Sequence, residues 1–102
     1  MLFTALPIPP KDIVARDVTP NSVTLYWTPS NDDPVESYVV RYRRRSELGG
    51  YAELADVTGL NQVIGGLTPF TTYELNVLAA NSIGRSMPSV SVEIRTKEAG
   101  LI

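Results

Sequence analysis

The chain contains neither cysteine nor histidine among its 102 residues. The missing cysteine excludes a disulfide scaffold, a thiolate nucleophile and cysteine-ligated zinc or iron–sulfur centres. The missing histidine excludes the usual Ser/His/Asp triad and an imidazole ligand or base. No run approaches the roughly 18 apolar residues that a membrane helix needs. We therefore expect a non-enzymatic protein that carries neither a cofactor nor a metal.

An excess of one charge sign is also lacking, since nine basic and eleven acidic residues leave a net charge of -2. That balance gives no global basic field to attract nucleic acid. The length suffices for one hydrophobic core. We expect a monomeric fragment with one folded unit at residues 9–97, an N-terminal linker at 1–8 and a C-terminal linker at 98–102.

Eight prolines and seven glycines divide the chain into segments that are mostly too short for ordinary helices. Several segments alternate apolar and polar residues, as in Ser22–Thr28, where Val23, Leu25 and Trp27 share one face. The window 71–83 has no Gly or Pro and would be long enough for a helix, but its two-residue alternation favours a strand. About seven short strands with turn residues between them indicate an antiparallel sandwich.

Two features specify this sandwich further. Trp27 is the only tryptophan and falls on the inward parity, so we expect it at the centre of the core. In the stretch from Leu67 to Tyr73, Leu67 ends one strand, Pro69 turns the chain and Tyr73 opens the next strand. This spacing suits a tyrosine corner, in which the phenol packs inward and its hydroxyl bonds to the crossing backbone.

Further elements recur in a fixed order along the chain. They are Pro9-Pro10, Trp27, the Tyr38/Val40/Tyr42 strand, Leu67-x-Pro69-x-x-x-Tyr73, Ala80-Asn-Ser-Ile-Gly84, Pro88-Ser89 and Val92-x-Ile94-x-Thr96. Taken together, these elements resemble a fibronectin type III domain over about residues 9–97. The phrases Asn31-Asp-Asp-Pro-Val35 and Ala80-Asn-Ser-Ile-Gly-Arg85 resemble most closely the repeats of neuronal adhesion receptors such as the LAR-type receptor protein tyrosine phosphatases.

The resemblance implies an all-β, immunoglobulin-like two-sheet antiparallel sandwich of seven strands. The first, second and fifth strands would form one sheet, and the fourth, third, sixth and seventh the other. The implied strands lie at about 11–18, 22–28, 36–44, 51–54, 61–65, 72–80 and 89–96.

The densest charge cluster contains Arg41, Arg43, Arg44 and Arg45. Arg41, Arg43 and Arg45 alternate with inward residues, so they should stand together on the outer face of the larger sheet. One interpretation is a site for a sulfated glycan or an acidic protein, because guanidinium groups suit sulfate oxygens. The other is a solvated strand whose arginines pair with Glu74 and Glu53.

The connection between the sixth and seventh strands is a second candidate contact region. Its residues are Asn81, Ser82, Ile83, Gly84, Arg85 and Met87. Asn81 and Gly84 are the expected positive-φ positions of the turn, whereas Ile83 and Met87 offer an apolar tip to a partner. Leu78, on the outward parity of the sixth strand, is expected to be exposed.

Acidic residues at Asp32, Asp33 and Glu36 raise the question of calcium. The sequence from Asn31 to Pro34 reads more simply as a turn, and it lacks the ligand pattern of a calcium loop. We therefore predict no metal site here.

The resemblance implies a non-enzymatic module in the extracellular part of a plasma-membrane adhesion receptor. Its partners would be adjacent immunoglobulin or fibronectin type III domains of the same chain and a protein ligand at the cell surface. A sulfated glycan would be a further partner if the arginine cluster binds one. The same fold would also suit a mechanical link in an intracellular structural array or a ligand-binding module of a matrix protein.

Overall fold

The computed structural model describes residues 5–30, 35–47 and 49–100. Within these ranges every regular element is a strand, and no helix is long and apolar enough to cross a membrane. The strands are β1 (Lys11–Arg16), β2 (Val23–Thr28), β3 (Ser37–Arg44), β4 (Ala52–Val57), β5 (Asn61–Ile64), β6 (Thr72–Ala80) and β7 (Val92–Arg95).

The strands form two sheets in which all pairings are antiparallel. One sheet has the order β1-β2-β5 and the other the order β4-β3-β6-β7. The predicted all-β, two-sheet sandwich of seven strands is confirmed.

The core lies between the two sheets and is built from alternate residues of their strands. Leu25 of β2 and Leu75 and Val77 of β6 are fully buried, and Trp27 is 3% exposed. The Trp27 ring contacts Tyr38 of β3 at a centroid distance of 5.4 Å and an interplanar angle of 59°. This tilted contact between aromatic rings joins the two sheets at the position expected for the indole.

The crossing from β5 to β6 has the geometry of a tyrosine corner. Leu67 and Tyr73 are buried, and the backbone N–H of Thr68 donates a hydrogen bond to the Tyr73 hydroxyl at 2.9 Å. Burial raises the pKa of Tyr73, but the bond from Thr68 and the charge of Arg44 outweigh it and leave the pKa below its usual value. Between Leu67 and Tyr73, Pro69 lies in the turn. The corner thus ties the hydroxyl to the connecting backbone.

β7 begins at Val92 rather than at the expected Ser89. Pro88 has no N–H to offer a sheet, and two serines that flank it pair with β6 in a different way. Ser89 donates its N–H to Val77 O at 2.8 Å, and its hydroxyl accepts from Val77 N at 2.9 Å. Ser86 makes the same two bonds to Ala79, at 2.8 and 2.9 Å. Serine hydroxyls therefore replace the carbonyls of a regular ladder along this part of β6.

β4 extends to Val57, beyond the expected end at Leu54. Its pairing with β3 shifts between Leu54 and Val57, where β4 has an extra residue. Asp56 has a φ of 58° at this bulge, a conformation that Asp tolerates better than most residues. This bulge explains why simple alternation underestimates the length of β4.

The chain enters and leaves the sandwich at opposite ends. At the N-terminal pole, β1 begins beside Thr28 at the end of β2, and β3 begins beside Ala80 at the end of β6. At the C-terminal pole, Lys97 donates its N–H to Thr19 O and accepts at its carbonyl from Phe70 N. The nine residues of β6 separate the two poles by about 27 Å at the usual rise of a strand.

Candidate functional site

The outer face of the four-stranded sheet carries most of the basic residues. Arg41 lies opposite Asn76 and Glu53, and Arg43 lies opposite Glu74. Five of the nine basic residues belong to this face, with three glutamates. The arginines are Arg41, Arg43, Arg45, Arg85 and Arg95, and the glutamates are Glu53, Glu74 and Glu93. The face is therefore basic although the whole chain is acidic.

Tyr51 holds two of these arginines together. The Arg41 and Arg43 guanidinium carbons lie 4.2 and 4.4 Å from the centroid of its ring. The Tyr51 hydroxyl donates a hydrogen bond to Glu74, which also forms an ion pair with Arg43 at 3.1 Å. Arg41 donates from Nε to Asn76 Oδ1 at 3.1 Å. Tyr51 is half-buried, and stacking near a protein surface contributes about 0.5–1 kcal/mol for each cation, so Tyr51 organises the cluster more than it stabilises the fold.

The other two arginines of the cluster have separate partners near the C-terminal pole. Arg45 forms an ion pair with Glu93 at 3.1 Å. Arg44 donates to Thr68 Oγ1 at 2.6 Å and lies 3.8 Å from a Glu47 oxygen. Exposed pairs of this kind contribute about 0–1 kcal/mol each. Three of the four arginines of the cluster thus lie beside a carboxylate, whereas Arg41 donates to the Asn76 carboxamide instead.

Arg85 forms the ion pair with Glu53 that the sequence analysis expected an arginine of β3 to form. Its Nη1 lies 2.9 and 3.1 Å from the two oxygens of Glu53. Arg85 forms an isolated β-bridge with Ala80 of β6, on the edge of β6 opposite β3. Glu53 lies on β4, so the side chains of the ion pair span β6 and β3.

The Arg85–Glu53 pair explains an unexpected burial. Leu78 and Val39 are cross-strand neighbours on this face, at 5% and 2% exposure, and neither belongs to the core between the sheets. Across the sheet, Arg85 is level with Ala80 and Glu53 is level with Asn76. Leu78 lies between these two levels on β6, so the ion pair passes above Leu78 and its neighbour Val39. The expectation that Leu78 is exposed is therefore wrong, because the long side chains of Arg85 and Glu53 cover it.

The connection from β6 to β7 is a hydrogen-bonded turn. The Asn81 carboxamide oxygen accepts from Ile83 N at 2.9 Å and from Gly84 N at 3.3 Å, which is typical of an Asx turn. Gly84 has a positive φ of 158°, but Asn81 does not have a positive φ. Ser82 and Ile83 are exposed at the tip, and Met87 is 75% exposed. Asn81 and Gly84 hold the turn, while Ile83 and Met87 face solvent.

Sequence reasoning misses Tyr51, Ser86 and Ser89. Alternation alone makes Tyr51 an ordinary strand residue, although an aromatic residue just after an arginine-rich strand is a recognisable signal for stacking. Ser86 and Ser89 are both buried and flank Pro88. A small hydroxyl residue on each side of a proline at a strand edge is the signal that could have identified them.

The acidic corner before β3 is described only in part. Glu36 is exposed and donates its backbone N–H to Ala80 O, whereas Asn31, Asp32, Asp33 and Pro34 lie outside the described residues. Across the described ranges there is no group of three or more acidic side chains arranged to hold a metal ion.

Glu74 gives this face a measurable pH signature. The hydrogen bond from Tyr51 lowers the pKa of Glu74 below its usual 4.5, burial opposes that shift, and Arg43 adds to it. We expect Tyr51→Phe to raise the pKa of Glu74 toward 4.5, as measured by carboxyl-carbon NMR titration. Tyr26→Phe, in β2 of the other sheet, is the control and should leave the titration unchanged. An unaltered midpoint in Tyr51→Phe would contradict this network.

The same pKa shift predicts how stability depends on pH. A pKa that is lower in the folded state means that ionised Glu74 stabilises the fold above 4.5. This contribution is lost as the pH falls through the lowered folded-state value. The difference in unfolding free energy between the wild type and Glu74→Gln should therefore shrink below pH 4.5.

Comparison with known proteins places these features in a family. The sequence model of the fibronectin type III domain matches residues 8–95. The chain is 46% identical over 94 residues to receptor-type tyrosine-protein phosphatase F of Homo sapiens and 32% identical over 94 residues to tyrosine-protein phosphatase Lar of Drosophila melanogaster. Both alignments cover 92% of this chain but only 5% of the relative.

A solved structure supports the same two-sheet fold. The solution structure of the fibronectin type III domain of human fibronectin type III domain containing protein 3 superposes with a TM-score of 0.82 at 25% identity. The match covers 96% of this chain and 93% of that domain. With its two sheets, its tyrosine corner and its family match over most of its length, this chain belongs to the fibronectin type III family.

Proposed function

We propose that this domain is an extracellular module of a cell-surface adhesion receptor, where it spaces neighbouring domains and contributes a protein contact surface. The observation that carries the proposal is that the chain enters and leaves at opposite poles. Asn81 holds Ala5 at the N-terminal pole, and Thr19 and Phe70 hold Lys97 at the C-terminal pole. A module built in this way separates whatever is attached to its two ends.

The relatives support the receptor context. They are named as receptor-type and Lar tyrosine-protein phosphatases, and this chain spans about 5% of their length. A domain of that relative size fits a chain with several neighbouring domains. The phosphatase activity in their names is a property of those proteins, whereas a fibronectin type III domain is a non-catalytic module.

An epitope tag after Gly100 tests the receptor proposal in cells that express the full parent protein. Gly100 lies after β7 and has open space around it, so the tag should not disturb the sandwich. We expect antibody to label intact cells, with a cytoplasmic marker as the negative control. Labelling only after permeabilisation would favour the intracellular structural array and contradict the proposal.

A second candidate function, binding of a sulfated glycan, is favoured by Arg41. Arg41 forms no ion pair with a carboxylate among the described residues, because Glu53 is taken by Arg85. Arg41, Arg43 and Arg45 recur at intervals of about 7 Å along the strand direction, so a linear polyanion would meet them in succession. Guanidinium groups bind sulfate oxygens with charge-assisted hydrogen bonds.

Heparin chromatography of the purified chain tests the glycan proposal. Arg41→Ala should elute at lower salt than the wild type, because it removes an arginine that has no carboxylate partner among the described residues. Arg16→Ala is the matched control, since it makes the same charge change on β1 of the other sheet. An equal loss in both variants, or no retention of the wild type at about 0.15 M salt, would contradict a site on this face.

A further inference from the structure

Phe70 is a bulky residue in a backbone conformation that does not suit it. It follows Pro69 in the turn before β6 and has a φ of 50°, in the left-handed region where bulky side chains are rare. The residue is 57% exposed, so burial in the core does not compensate for this conformation. Its backbone N–H donates to Lys97 O, a contact that any residue except proline would keep. The fold therefore needs the backbone of Phe70 rather than its ring.

Phe70 borders a shallow groove at the C-terminal end of the outer face. The groove has a volume of about 480 Å³, within the range of roughly 300–1,000 Å³ that is usual for ligand sites. We name it the Phe70 groove, and its lining residues are Arg45, Ser46, Phe70, Thr71 and Thr72. It combines an exposed aromatic ring with three hydroxyl side chains and a guanidinium group.

A second arginine lies beside the ring. The Arg95 guanidinium carbon is 4.9 Å from the centroid of Phe70, and Arg95 Nε donates to Thr72 Oγ1 at 3.2 Å. Arg95 and Arg45 flank Thr72 across the sheet, since Arg95 pairs with Thr72 and Arg45 donates its N–H to Thr72 O. Arg45 forms an ion pair with Glu93, whereas Arg95 forms none among the described residues. The surroundings of the groove are therefore basic.

The Phe70 groove continues the row formed by Arg41, Arg43 and Arg45, because Arg45 both ends that row and lines the groove. A linear polyanion bound along the row would reach the groove at its end. The C–H groups on one face of a sugar ring carry partial positive charge, which suits the negative face of an aromatic ring. Carboxylate and sulfate groups suit guanidinium groups. The groove thus matches the chemistry of a negatively charged sugar.

We propose that the Phe70 groove binds one anionic saccharide unit of a glycan chain whose sulfates also contact Arg41 and Arg43. The ring of Phe70 packs against the saccharide, while Arg45 and Arg95 attract its carboxylate or sulfate. This inference rests on the proposed binding of a sulfated glycan and names where the end of that glycan lies. It gives the exposed ring a role that the fold does not.

A protein partner fits this groove less well, whether a second copy of the chain or another protein. The groove has a mostly polar lining and one exposed ring. A specific protein interface buries about 800 Å² on each partner around an apolar centre. The small apolar area therefore favours a saccharide.

Calorimetric titration of the purified chain with a heparin octasaccharide tests the groove. Phe70→Leu should weaken binding about fivefold, because it removes the ring but stays apolar, whereas Phe70→Tyr should bind like the wild type. Neither change alters the charge, so the loss in Phe70→Leu should be equal at about 0.05 and 0.15 M salt. The loss in Arg41→Ala should shrink at the higher salt. Val90→Ala is the control, since Val90 is 83% exposed but lies in a groove beside β1.

Thermal unfolding of the same variants tests whether the fold needs the ring. Asparagine tolerates the left-handed region better than phenylalanine or leucine does. We therefore expect Phe70→Asn to melt about 2–4 °C above Phe70→Leu and within about 2 °C of the wild type or higher. Phe70→Asn should nevertheless bind the octasaccharide as weakly as Phe70→Leu.

Three results would overturn the proposal. They are equal affinity of Phe70→Leu and the wild type, a melting temperature of Phe70→Asn more than about 4 °C below that of the wild type, and a dimer of the wild type in sedimentation that Phe70→Leu dissociates. Weaker binding in Arg41→Ala with full affinity in Phe70→Leu would reject the groove alone. No binding of the octasaccharide to the wild type would reject both the groove and the glycan proposal.

Discussion

The structure depends on β6, which is constrained on both faces and along both edges. Its inner residues fill the core, where Leu75 and Val77 are fully buried, while Leu78 is covered on the outer face. Eight residue pairs join it to β3 on one side. On the other side it pairs with β7 and, beyond β7, with the hydroxyls of Ser86 and Ser89. The position of every candidate contact surface follows from this strand.

Two surfaces are organised by β6 in different ways. On the outer face, Glu74 and Asn76 of β6 receive hydrogen bonds from Arg43 and Arg41, so a strand of arginines becomes a paired layer around Tyr51. At the N-terminal pole, the serine bonds hold the connection that contains Asn81 and Gly84, and Asn81 donates a hydrogen bond to the Ala5 carbonyl. The same strand thus positions both a charged face and the turn at the N-terminal pole.

The fold could be predicted from the sequence because its signals are local. Alternation identifies β2 and β6, and the spacing from Leu67 to Tyr73 identifies the crossing between sheets. The end of β4 escapes prediction because the bulge at Asp56 interrupts its alternation, so that Leu54 and Val57 both pack against the core. The start of β7 escapes it because the serines around Pro88 replace regular pairing with β6.

The candidate sites were less predictable, because they depend on contacts between distant residues. Parity placed Arg41 and Arg43 on the outer face, but it could not show that Arg85 would reach across two strands to Glu53. That diagonal contact buries Leu78, which alternation alone placed in solvent. The hydrogen bond from Asn81 to Ala5 joins residues 76 positions apart, a separation at which spacing patterns carry no information.

Serine hydroxyls fix the connection after β6 as firmly as the carbonyls of a regular ladder would. Amide hydrogen exchange in the isolated chain measures this directly at Val77 and Ala79, whose N–H groups are bonded to Ser89 and Ser86. We predict that these amides exchange as slowly as those of the β3–β6 ladder, since buried bonds of the native core open only by larger unfolding. Exchange at Val77 and Ala79 that is orders of magnitude faster than in the ladder would contradict the account.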